Sequence, residues 1–418
     1  MDTLTRRRFL LASGVTAGAA LAAGAGGLGF AELLRTAEAD PTAAARTKKL
    51  VLVTLYGGND GLNTVVPYAD PAYHDARPQL AYDPEKVLHL DDTLGLNPRM
   101  RGMKRLWDEK RLAVVLGVGY PKPDRSHFRS MDIWQTASPQ EAVSTGWIGR
   151  WLDGTQAVPE AAVSFEPVLP PVLAGQTRAG SCVGVAGLEL PPGITPAAVS
   201  ALGQPEPGEP ELQARAAAAY RDLLRVEGLV RGAEQQHNAA PGGAEEEILA
   251  TGPGSRSVLE TQLGLVARCV EAGVPTRVYS VSLDGFDTHA KELAGHESLL
   301  SRLDRALSAF LARMARTESG RQVTVVVYSE FGRRVRANAS QGTDHGTAGP
   351  LFVLGPQVAG GFYGEQPSLT NLDEGDLKAT TDFRDVFGAV LASVLEADPD
   401  RYLGVGYRSK PLPLFTAD

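Results

Sequence analysis

Acidic and imidazole side chains recur along the sequence in short blocks that also contain glycine or serine. The blocks are Gly57-Gly58-Asn59-Asp60, Asp124-Arg125-Ser126-His127, Asp284-Gly285-Phe286-Asp287-Thr288-His289, Ser329-Glu330-Phe331-Gly332-Arg333-Arg334 and Gly342-Thr343-Asp344-His345-Gly346. Carboxylates and imidazoles without a neighbouring thiolate are ligands for Zn²⁺, Mn²⁺ or iron, and for Ca²⁺ or Mg²⁺ where oxygen dominates. The residue types therefore predict a centre for one or two divalent ions and leave the identity of the metal open.

Each block taken alone has a plainer interpretation. An aspartate after two glycines, such as Asp60, is also typical of a turn. A lone histidine such as His289 or His345 is more commonly an ordinary polar residue, and an isolated serine such as Ser126 is more commonly a helix N-cap. The adjacent pair Arg333-Arg334 is most often part of a solvated face. The metal interpretation therefore depends on the blocks meeting in space.

Short apolar runs adjoin these blocks and predict the strands that position them. The runs cover 49–56, 112–118, 277–283, 323–328 and 351–355. Continuous apolar strands of this length are typical of a parallel sheet that is buried on both faces. The carboxyl ends of parallel strands open onto one crevice, so side chains almost three hundred residues apart in the sequence are predicted to converge there.

Helical patterns separate these strands. A helix is predicted around 99–109, an amphipathic helix over 299–314 and a last helix after Thr381. We therefore predict an α/β fold with a mainly parallel central sheet flanked by helices. A Pro- and Gly-rich segment at about 154–256 predicts an insertion within a single domain that spans 40–418.

The first residues have the layout of an export signal. Arg6-Arg7-Arg8 precede an apolar, Ala- and Gly-rich stretch that ends near Phe30, and Ala37-Glu38-Ala39 is a small-x-small cleavage site. We expect a twin-arginine signal peptide over 1–39, with the twin-arginine translocase as partner during export and a periplasmic or extracellular destination. The alternative is an uncleaved membrane anchor, which the Gly-rich stretch disfavours.

Composition excludes several classes of protein. The 418 residues carry 41 Lys and Arg against 49 Asp and Glu, a formal net charge of −8, so no global positive field attracts nucleic acid. Cys182 and Cys269 are the two cysteines of the chain, too few for a disulfide scaffold or a cysteine-built zinc site. Whether they pair with each other is left open.

The five blocks together resemble a family of exported bacterial proteins, domain of unknown function 1501. The resemblance rests on Gly57-Gly58-Asn59-Asp60-Gly61-Leu62-Asn63-Thr64-Val65-Val66-Pro67-Tyr68, Arg125-Ser126-His127-Phe128, Gly285-Phe286-Asp287-Thr288-His289, Ser329-Glu330-Phe331-Gly332-Arg333 and Gly342-Thr343-Asp344-His345-Gly346. That family in turn resembles the alkaline-phosphatase-like superfamily, which includes the sulfatases and cofactor-independent phosphoglycerate mutases.

The resemblance implies roles for individual residues. Asp60 is similar to the superfamily's first metal-binding aspartate, Asp287 and His289 to a later Asp/His pair, and His345 to the last histidine. Ser126 is similar to the nucleophile that begins a helix. One departure is that the superfamily usually has an adjacent Asp-His pair where this chain has Glu330-Phe331, and Phe331 cannot bind a metal.

The residue blocks and the family resemblance together predict a hydrolase. We predict an exported metal-dependent hydrolase of phosphate or sulfate esters that uses one or two ions of Zn, Mn, Ca or Mg. Its predicted residues are Asp60, Asp287, His289, Glu330 and His345 as metal ligands, Ser126 or a hydroxide held by the metal as nucleophile, His127 as ligand or general acid, and Arg125, Arg333 or Arg334 as contacts to the substrate anion.

Two rival functions remain open from the sequence. The first is a non-catalytic exported protein that keeps the fold and a partial metal site as a binding or structural module, which Phe331 favours. The second is a serine acyl hydrolase built on Ser126, which is weaker because no Gly-x-Ser-x-Gly elbow surrounds that serine.

Overall fold

The structure is a computed structural model that describes residues 33–34, 36, 45–183 and 258–416. Almost all of the predicted signal peptide and most of the predicted insertion lie outside these residues. The chain divides into two compact units. The first unit comprises Met1–Ala44, Ser144–Arg256 and Arg268–Ser280, and the second unit comprises Ala45–Val143, Ser257–Ala267 and Val281–Asp418.

The described residues form short and long strands. In chain order they are β1 (Lys49–Leu55), β2 (Val65–Val66), β3 (Leu88–His89), β4 (Gly95–Leu96), β5 (Leu112–Gly119), β6 (Ala162–Ser164), β7 (Ser181–Cys182), β8 (Val278–Leu283), β9 (Val323–Ser329), β10 (Gly349–Leu354), β11 (Gly361–Tyr363) and β12 (Thr381–Asp382). The five long strands lie where the apolar runs predict them.

Helices occupy much of the remaining chain. They are α1 (Gly61–Thr64), α2 (Pro71–Ala76), α3 (Arg101–Asp108), α4 (His127–Thr136), α5 (Trp147–Thr155), α6 (Val258–Glu271), α7 (Glu292–Met314) and α8 (Phe383–Ser393). Single 3₁₀ turns lie at Pro84–Lys86, Pro159–Ala161, Pro171–Leu173, Gly320–Gln322 and Pro399–Arg401. None of the described helices combines the length and the apolar character that a membrane span requires.

The second unit is built on a sheet with the strand order β11-β5-β10-β9-β1-β8, and β12 pairs with the end of β5. β1 pairs in parallel with β9, and both β11 and β12 pair in parallel with β5. All seven residues of β1 are buried, as the continuous apolar run predicts for a central strand. The predicted α/β fold with a mainly parallel sheet flanked by helices is confirmed.

β10 is the exception to the parallel arrangement, because it runs antiparallel to both β5 and β9. The connection from β9 to β10 contains no helix. A parallel neighbour would need a crossover connection, whereas an antiparallel strand can follow a loop directly. The loop between these two strands therefore stays at one edge of the sheet.

Two helices show how the second unit packs. The 23-residue α7 buries Leu299, Leu303 and Leu307 on one face, as its periodicity predicts. The carboxylate of Asp304 on the same helix accepts hydrogen bonds from the backbone N–H groups of Gly102 and Met103, at 2.9 and 2.7 Å. These are unsatisfied donors of the first turn of α3, so α7 supplies the cap that α3 lacks.

The first unit contains β6, which pairs in parallel with β7 and with residues 278–280 of β8. Its α5 lies so close to the turn after Pro171–Leu173 that a Cβ on Gly149 would collide with the backbone of Ala174. The carboxylate of Asp153 on α5 accepts hydrogen bonds from three successive backbone N–H groups, at 176–178. Both cysteines belong to this unit and are free thiols.

Candidate metal centre

Three imidazoles converge on one carboxylate oxygen in the second unit. Asp287 Oδ1 lies 2.9 Å from Nε2 of His289, 3.1 Å from Nε2 of His345 and 3.5 Å from Nε2 of His127. The Nε2 atoms of His289 and His345 are themselves 3.0 Å apart. We call these four residues the imidazole centre.

Strand ends bring the imidazole centre together, as the parallel sheet predicts. His127 is the first residue of α4, which follows β5. Asp287 and His289 follow β8, and His345 precedes the antiparallel β10. Because β10 runs in the opposite direction, its amino-terminal end lies at the same edge as the carboxyl ends of its neighbours. The residues that meet are thus drawn from three distant stretches of the chain.

Each imidazole has an oxygen near its other nitrogen. Nδ1 of His127 lies 2.8 Å from the Glu330 carboxylate and Nδ1 of His345 lies 2.8 Å from the Arg125 carbonyl oxygen, both at hydrogen-bond distance, whereas Nδ1 of His289 lies 3.6 Å from the Asp344 carboxylate. A ring whose Nδ1 donates to its acceptor can offer the lone pair of Nε2 to a cation. The three Nε2 atoms all lie next to one carboxylate oxygen.

This arrangement of side chains fits a bound cation. Nε2 of His127 is buried and has no hydrogen-bond partner among the described residues. His127, Asp287 and His345 each offer one ligand atom, and these three atoms all lie within 4.8 Å of one another. Histidines whose Nδ1 donates to carboxylates or carbonyls are typical of metal sites.

Arg333 holds the loops around the imidazole centre. Its guanidinium is buried, with the residue 1% exposed. Nε donates to the Gly58 carbonyl at 2.6 Å, Nη1 to the Thr343 carbonyl at 2.9 Å, and Nη2 to the carbonyls of Gly57 and Phe286 and to Asp287 Oδ1. These donors are used inside the protein, so the placement does not agree with the predicted role of Arg333 as a contact to a substrate anion.

The charge on Asp287 is stabilised by its neighbours. Partial burial acts to raise the pKa of this carboxyl, but the hydrogen bonds from Arg333 and His345 outweigh it and lower the pKa to about 2. Asp287 is thus ionised at neutral pH. A carboxylate together with imidazoles is the donor set that zinc and similar divalent ions prefer.

Glu330 and Phe331 follow β9 directly and lie behind the imidazoles. Glu330 is buried and accepts hydrogen bonds from Gly57 N at 2.9 Å and from His127 Nδ1. The hydrogen bond between Glu330 and His127 raises the pKa of His127. The ring of Phe331 lies 4.9 Å from that of His127 and 4.8 Å from that of His345. Glu330 therefore orients a histidine rather than facing Asp287 Oδ1, and Phe331 covers the two rings.

Ser126 and Arg125 lie beside the imidazole centre. Ser126 is the N-cap residue of the ten-residue α4, is exposed, and makes no side-chain capping hydrogen bond. Its hydroxyl therefore does not cap the first turn of α4. Arg125 is partly exposed, and its guanidinium is ion-paired with Asp376. The roles of Ser126 as nucleophile and of Arg125 as a contact to the substrate anion stay predictions.

Asp60 lies in a separate, fully buried network. Its Oδ2 pairs with Nη1 of Arg77 at 2.5 Å, and both side chains are 0% exposed. Burial acts to raise the pKa of Asp60, but the guanidinium of Arg77 lowers it to about 2. A cationic side chain already neutralises this carboxylate, so the structure does not bring Asp60 to the imidazole centre.

The Asp60 network contains groups that sequence reasoning missed. Glu292 accepts a hydrogen bond from Thr343 Oγ1 at 2.7 Å, while His296 Nε2 lies 2.9 Å from Asn59 Oδ1. Burial and the nearby charge of Asp60 raise the pKa of Glu292 to about 9, which keeps this carboxyl protonated at neutral pH. The sequence does contain a signal for their burial, because Glu292 and His296 fall on the same helical face as the buried Leu299 and Leu303.

The comparisons with known proteins concern the fold. No curated protein sequence matches the chain. Solved structures similar to it include Ps i-CgsB, with 10% identity over 86% of this chain and 74% of that one and a TM-score of 0.38. A protein in the alkaline phosphatase superfamily from Vibrio parahaemolyticus has 10% identity, coverage of 87% and 74%, and a TM-score of 0.35. The phosphonate monoester hydrolase SpPMH from Silicibacter pomeroyi has 9% identity, coverage of 87% and 78%, and a TM-score of 0.35.

A family match covers most of the chain, including every residue of the imidazole centre. Residues 47–396 match the family described as "Protein of unknown function (DUF1501)", and the chain belongs to that family.

Proposed function

We propose that this protein is an exported metal-dependent hydrolase that cleaves phosphate or sulfate esters at the imidazole centre. One observation carries the proposal: the Nε2 atoms of three histidines lie within 3.5 Å of the same oxygen of the ionised Asp287, and Nδ1 of two of these histidines lies 2.8 Å from an acceptor. Protein side chains in this pattern bind a divalent cation. His127, Asp287 and His345 would hold the ion, because their ligand atoms all lie within 4.8 Å of one another, and His289 lies beside them.

A divalent ion bound by these residues would act as a Lewis acid on an oxygen of the ester. The chain supplies the remaining functions. Glu330, Asp344 and the Arg125 carbonyl hold the rings in position, and the Phe331 ring keeps water from the faces of His127 and His345. The partly exposed guanidinium of Arg125 would contact the phosphate or sulfate group.

Ser126 is the proposed nucleophile. Its hydroxyl oxygen attacks phosphorus or sulfur, the bond from that atom to the alcohol oxygen breaks, and the alcohol leaves with the serine proton. Water then cleaves the covalent intermediate, which restores the serine and releases phosphate or sulfate. The uncapped, exposed hydroxyl at the start of α4 supports this role.

The export of the protein is part of the same proposal. Arg6-Arg7-Arg8, the apolar stretch and the Ala37-Glu38-Ala39 site support removal of 1–39 after passage through the twin-arginine translocase. That pathway carries folded proteins, so the metal would be bound before export. A periplasmic or extracellular location follows.

Metal analysis and ester hydrolysis test the proposal together. The mature protein is analysed for bound metal and assayed with aryl phosphate and aryl sulfate esters. We expect bound divalent metal and ester cleavage in the parent protein, both lost in His345→Ala. His89→Ala is the control, because the exposed His89 ring stacks on Tyr68 and its Nε2 lies near the Pro84 carbonyl, away from the imidazole centre.

The outcomes separate the rival functions. Bound metal that depends on His345 without cleavage of any ester would support the non-catalytic binding protein. Cleavage of acyl esters that is insensitive to chelators would support a serine acyl hydrolase. Absence of metal from the folded parent protein after incubation with Zn²⁺ or Mn²⁺ would overturn the proposed centre.

A further inference from the structure

A cavity of about 510 Å³ lies at the end of β5 in the second unit. Its floor is formed where β12 pairs with β5, at Gly119 and Asp382. One wall is the loop 120–125 and the other is the loop 373–380. This volume falls within the range of pockets that hold a small molecule.

The cavity adjoins the imidazole centre. Arg125 and Phe331 line it, and the same two residues contact the imidazoles: the Arg125 carbonyl faces His345 Nδ1, and the Phe331 ring packs against His127 and His345. A group in the cavity would therefore be next to an ester held at the imidazole centre. Since the transferred phosphate or sulfate belongs at the metal, the cavity is placed to receive the alcohol part of the ester.

Opposite charges lie side by side in this cavity. Arg125 is next to the imidazole centre, and beyond it the loop 373–380 contributes Asp373, Glu374 and Asp376. Asp376 pairs with Arg125, and Glu374 Oε2 lies 3.9 Å from Nη2 of the same arginine. The lining as a whole contains five carboxylates and three cationic side chains.

A second observation points to a ligand that donates hydrogen bonds. Asp376 is 1% exposed, and its Oδ2 is ion-paired with the guanidinium of Arg125. Its Oδ1 makes no hydrogen bond among the described residues and has only a 3.5 Å approach by Nε of Arg334. A buried carboxylate oxygen with unused acceptor capacity on a cavity wall can accept a hydrogen bond from a bound ammonium group.

We propose that the substrate is a zwitterion: the phosphate or sulfate ester of an amino alcohol, whose ammonium group lies in this cavity against Asp373, Glu374 and Asp376. Arg125 and the imidazole centre hold the anionic group, and the three carboxylates hold the cation beyond it. The proposal rests on the proposed function for the location of the ester. An alcohol that carries a second negative charge would meet the carboxylates of loop 373–380 and be disfavoured.

The test uses substrates that differ in one group. The mature, metal-loaded protein is assayed with 2-aminoethyl phosphate, 2-hydroxyethyl phosphate and carboxymethyl phosphate, and with the corresponding sulfate esters. We expect kcat/KM to be at least tenfold higher for the 2-aminoethyl ester than for the 2-hydroxyethyl ester, and lowest for the carboxymethyl ester. The double variant Asp373→Asn, Glu374→Gln should reduce the preference for the amine at least fivefold.

The combination Glu85→Gln, Asp92→Asn is the control matched in charge. Both residues are exposed and lie outside the cavity, so this control variant also removes two carboxylates. We expect this variant to retain the preference of the parent protein. Equal kcat/KM for the amino and hydroxyl esters, or a preference that survives the double variant, would overturn the proposal.

A binding measurement separates this proposal from the proposed function. The metal-loaded protein is titrated in a calorimeter with 2-aminoethylphosphonate and with propylphosphonate, neither of which has an ester bond to cleave. Tighter binding of the aminophosphonate, weakened at least fivefold by the double variant, would support the cavity assignment even in a protein that cleaves no ester. Equal binding of the two phosphonates together with cleavage of aryl phosphate would overturn the cavity assignment alone.

Discussion

Nη2 of Arg333 donates a hydrogen bond of 2.8 Å to Oδ1 of Asp287, the same oxygen towards which the three imidazole Nε2 atoms point. The same guanidinium also binds backbone carbonyls of the loops that follow β1 and β8 and of the loop that precedes β10. Arg333 thus fixes both the carboxylate and the relative position of the loops around it. It is a positioning residue rather than a contact to substrate.

Substitution of Arg333 should therefore affect metal affinity and stability together. In Arg333→Met the carbonyls of Gly58, Thr343 and Phe286 lose their donor, and each unsatisfied buried acceptor costs about 1–3 kcal/mol. We expect a lower free energy of unfolding in urea and about 10- to 100-fold weaker metal binding in the folded variant. Arg336→Lys, on the exposed part of the same segment, is the control. Unchanged metal affinity would contradict the positioning role.

Substitution of Asp60 tests whether this residue serves mainly as the ion-pair partner of Arg77 or binds metal, as the sequence predicts. Asp60→Asn leaves the fully buried Arg77 without its counter-ion, which typically costs about 3–5 kcal/mol. We expect a large loss of unfolding free energy but full metal content in the protein that remains folded. Loss of metal at unchanged stability would instead support the sequence-based prediction of Asp60 as a ligand.

A double-mutant cycle gives the coupling within this ion pair. Arg77→Met removes the other partner, and Arg77 Nε also donates to the Val335 carbonyl at 2.8 Å. The combined variant should lose less stability than the sum of the two single variants, because neither charge is then left buried alone. Additive losses would show that the two side chains do not act as a pair.

The sheet and most of the imidazole centre could be predicted from the sequence because both follow from strand ends. Buried strands give continuous apolar runs, and a parallel sheet aligns their carboxyl ends, so Asp287 and His345 were predicted to meet. In the structure His127 lies beside them, where it could act as a metal ligand, the first of the two roles expected for it; the second is general acid. The strands β6, β7, β11 and β12 have two or three residues each and are too short to produce a periodic pattern.

Asp60 and Arg333 could not be placed from the sequence for different physical reasons. Gly57 and Gly58 adopt φ angles of 114° and 72°, which turn the chain after β1 so that Asp60 enters the interior, and no local pattern identifies Arg77 as its partner. Arg333 carries the same charge whether it lies in water or among carbonyls. Its burial depends on acceptors from residues far away in the sequence, which no local spacing encodes.

The raised pKa of Glu292 in the Asp60 network makes stability depend on pH. Burial and the charge of Asp60 raise the pKa of Glu292 from its usual 4.5 to about 9. A carboxyl with a raised pKa binds its proton more tightly in the folded state, so this contribution is complete below pH 4.5 and is lost as pH rises towards 9. We expect the free energy of unfolding of the parent protein to fall over this range.

Glu292→Gln should flatten that pH dependence, because the amide is uncharged in the folded and unfolded states alike. The amide can still donate to Asp60 and accept from Thr343 Oγ1. Urea unfolding at intervals between pH 5 and pH 9 measures the slope for both proteins. Equal slopes would mean that Glu292 is already ionised in the folded protein at neutral pH.

The close approach of Gly58 to the Phe331 ring leads to a final prediction, because this contact holds the ring against the imidazoles. Gly58 has a φ of 72°, and a Cβ there would collide with the Phe331 ring that packs against His127 and His345. Gly58→Ala should therefore destabilise the fold, by about 1–3 kcal/mol from strain and overpacking. Combining Gly58→Ala with Phe331→Leu frees part of the space and should recover a fraction of the lost stability.

Gly264→Ala, where a Cβ would meet nothing within 4 Å, is the control and should not lower stability. A Gly58→Ala variant as stable as that control would show that the ring can move away, and that Phe331 does not fix the imidazole rings.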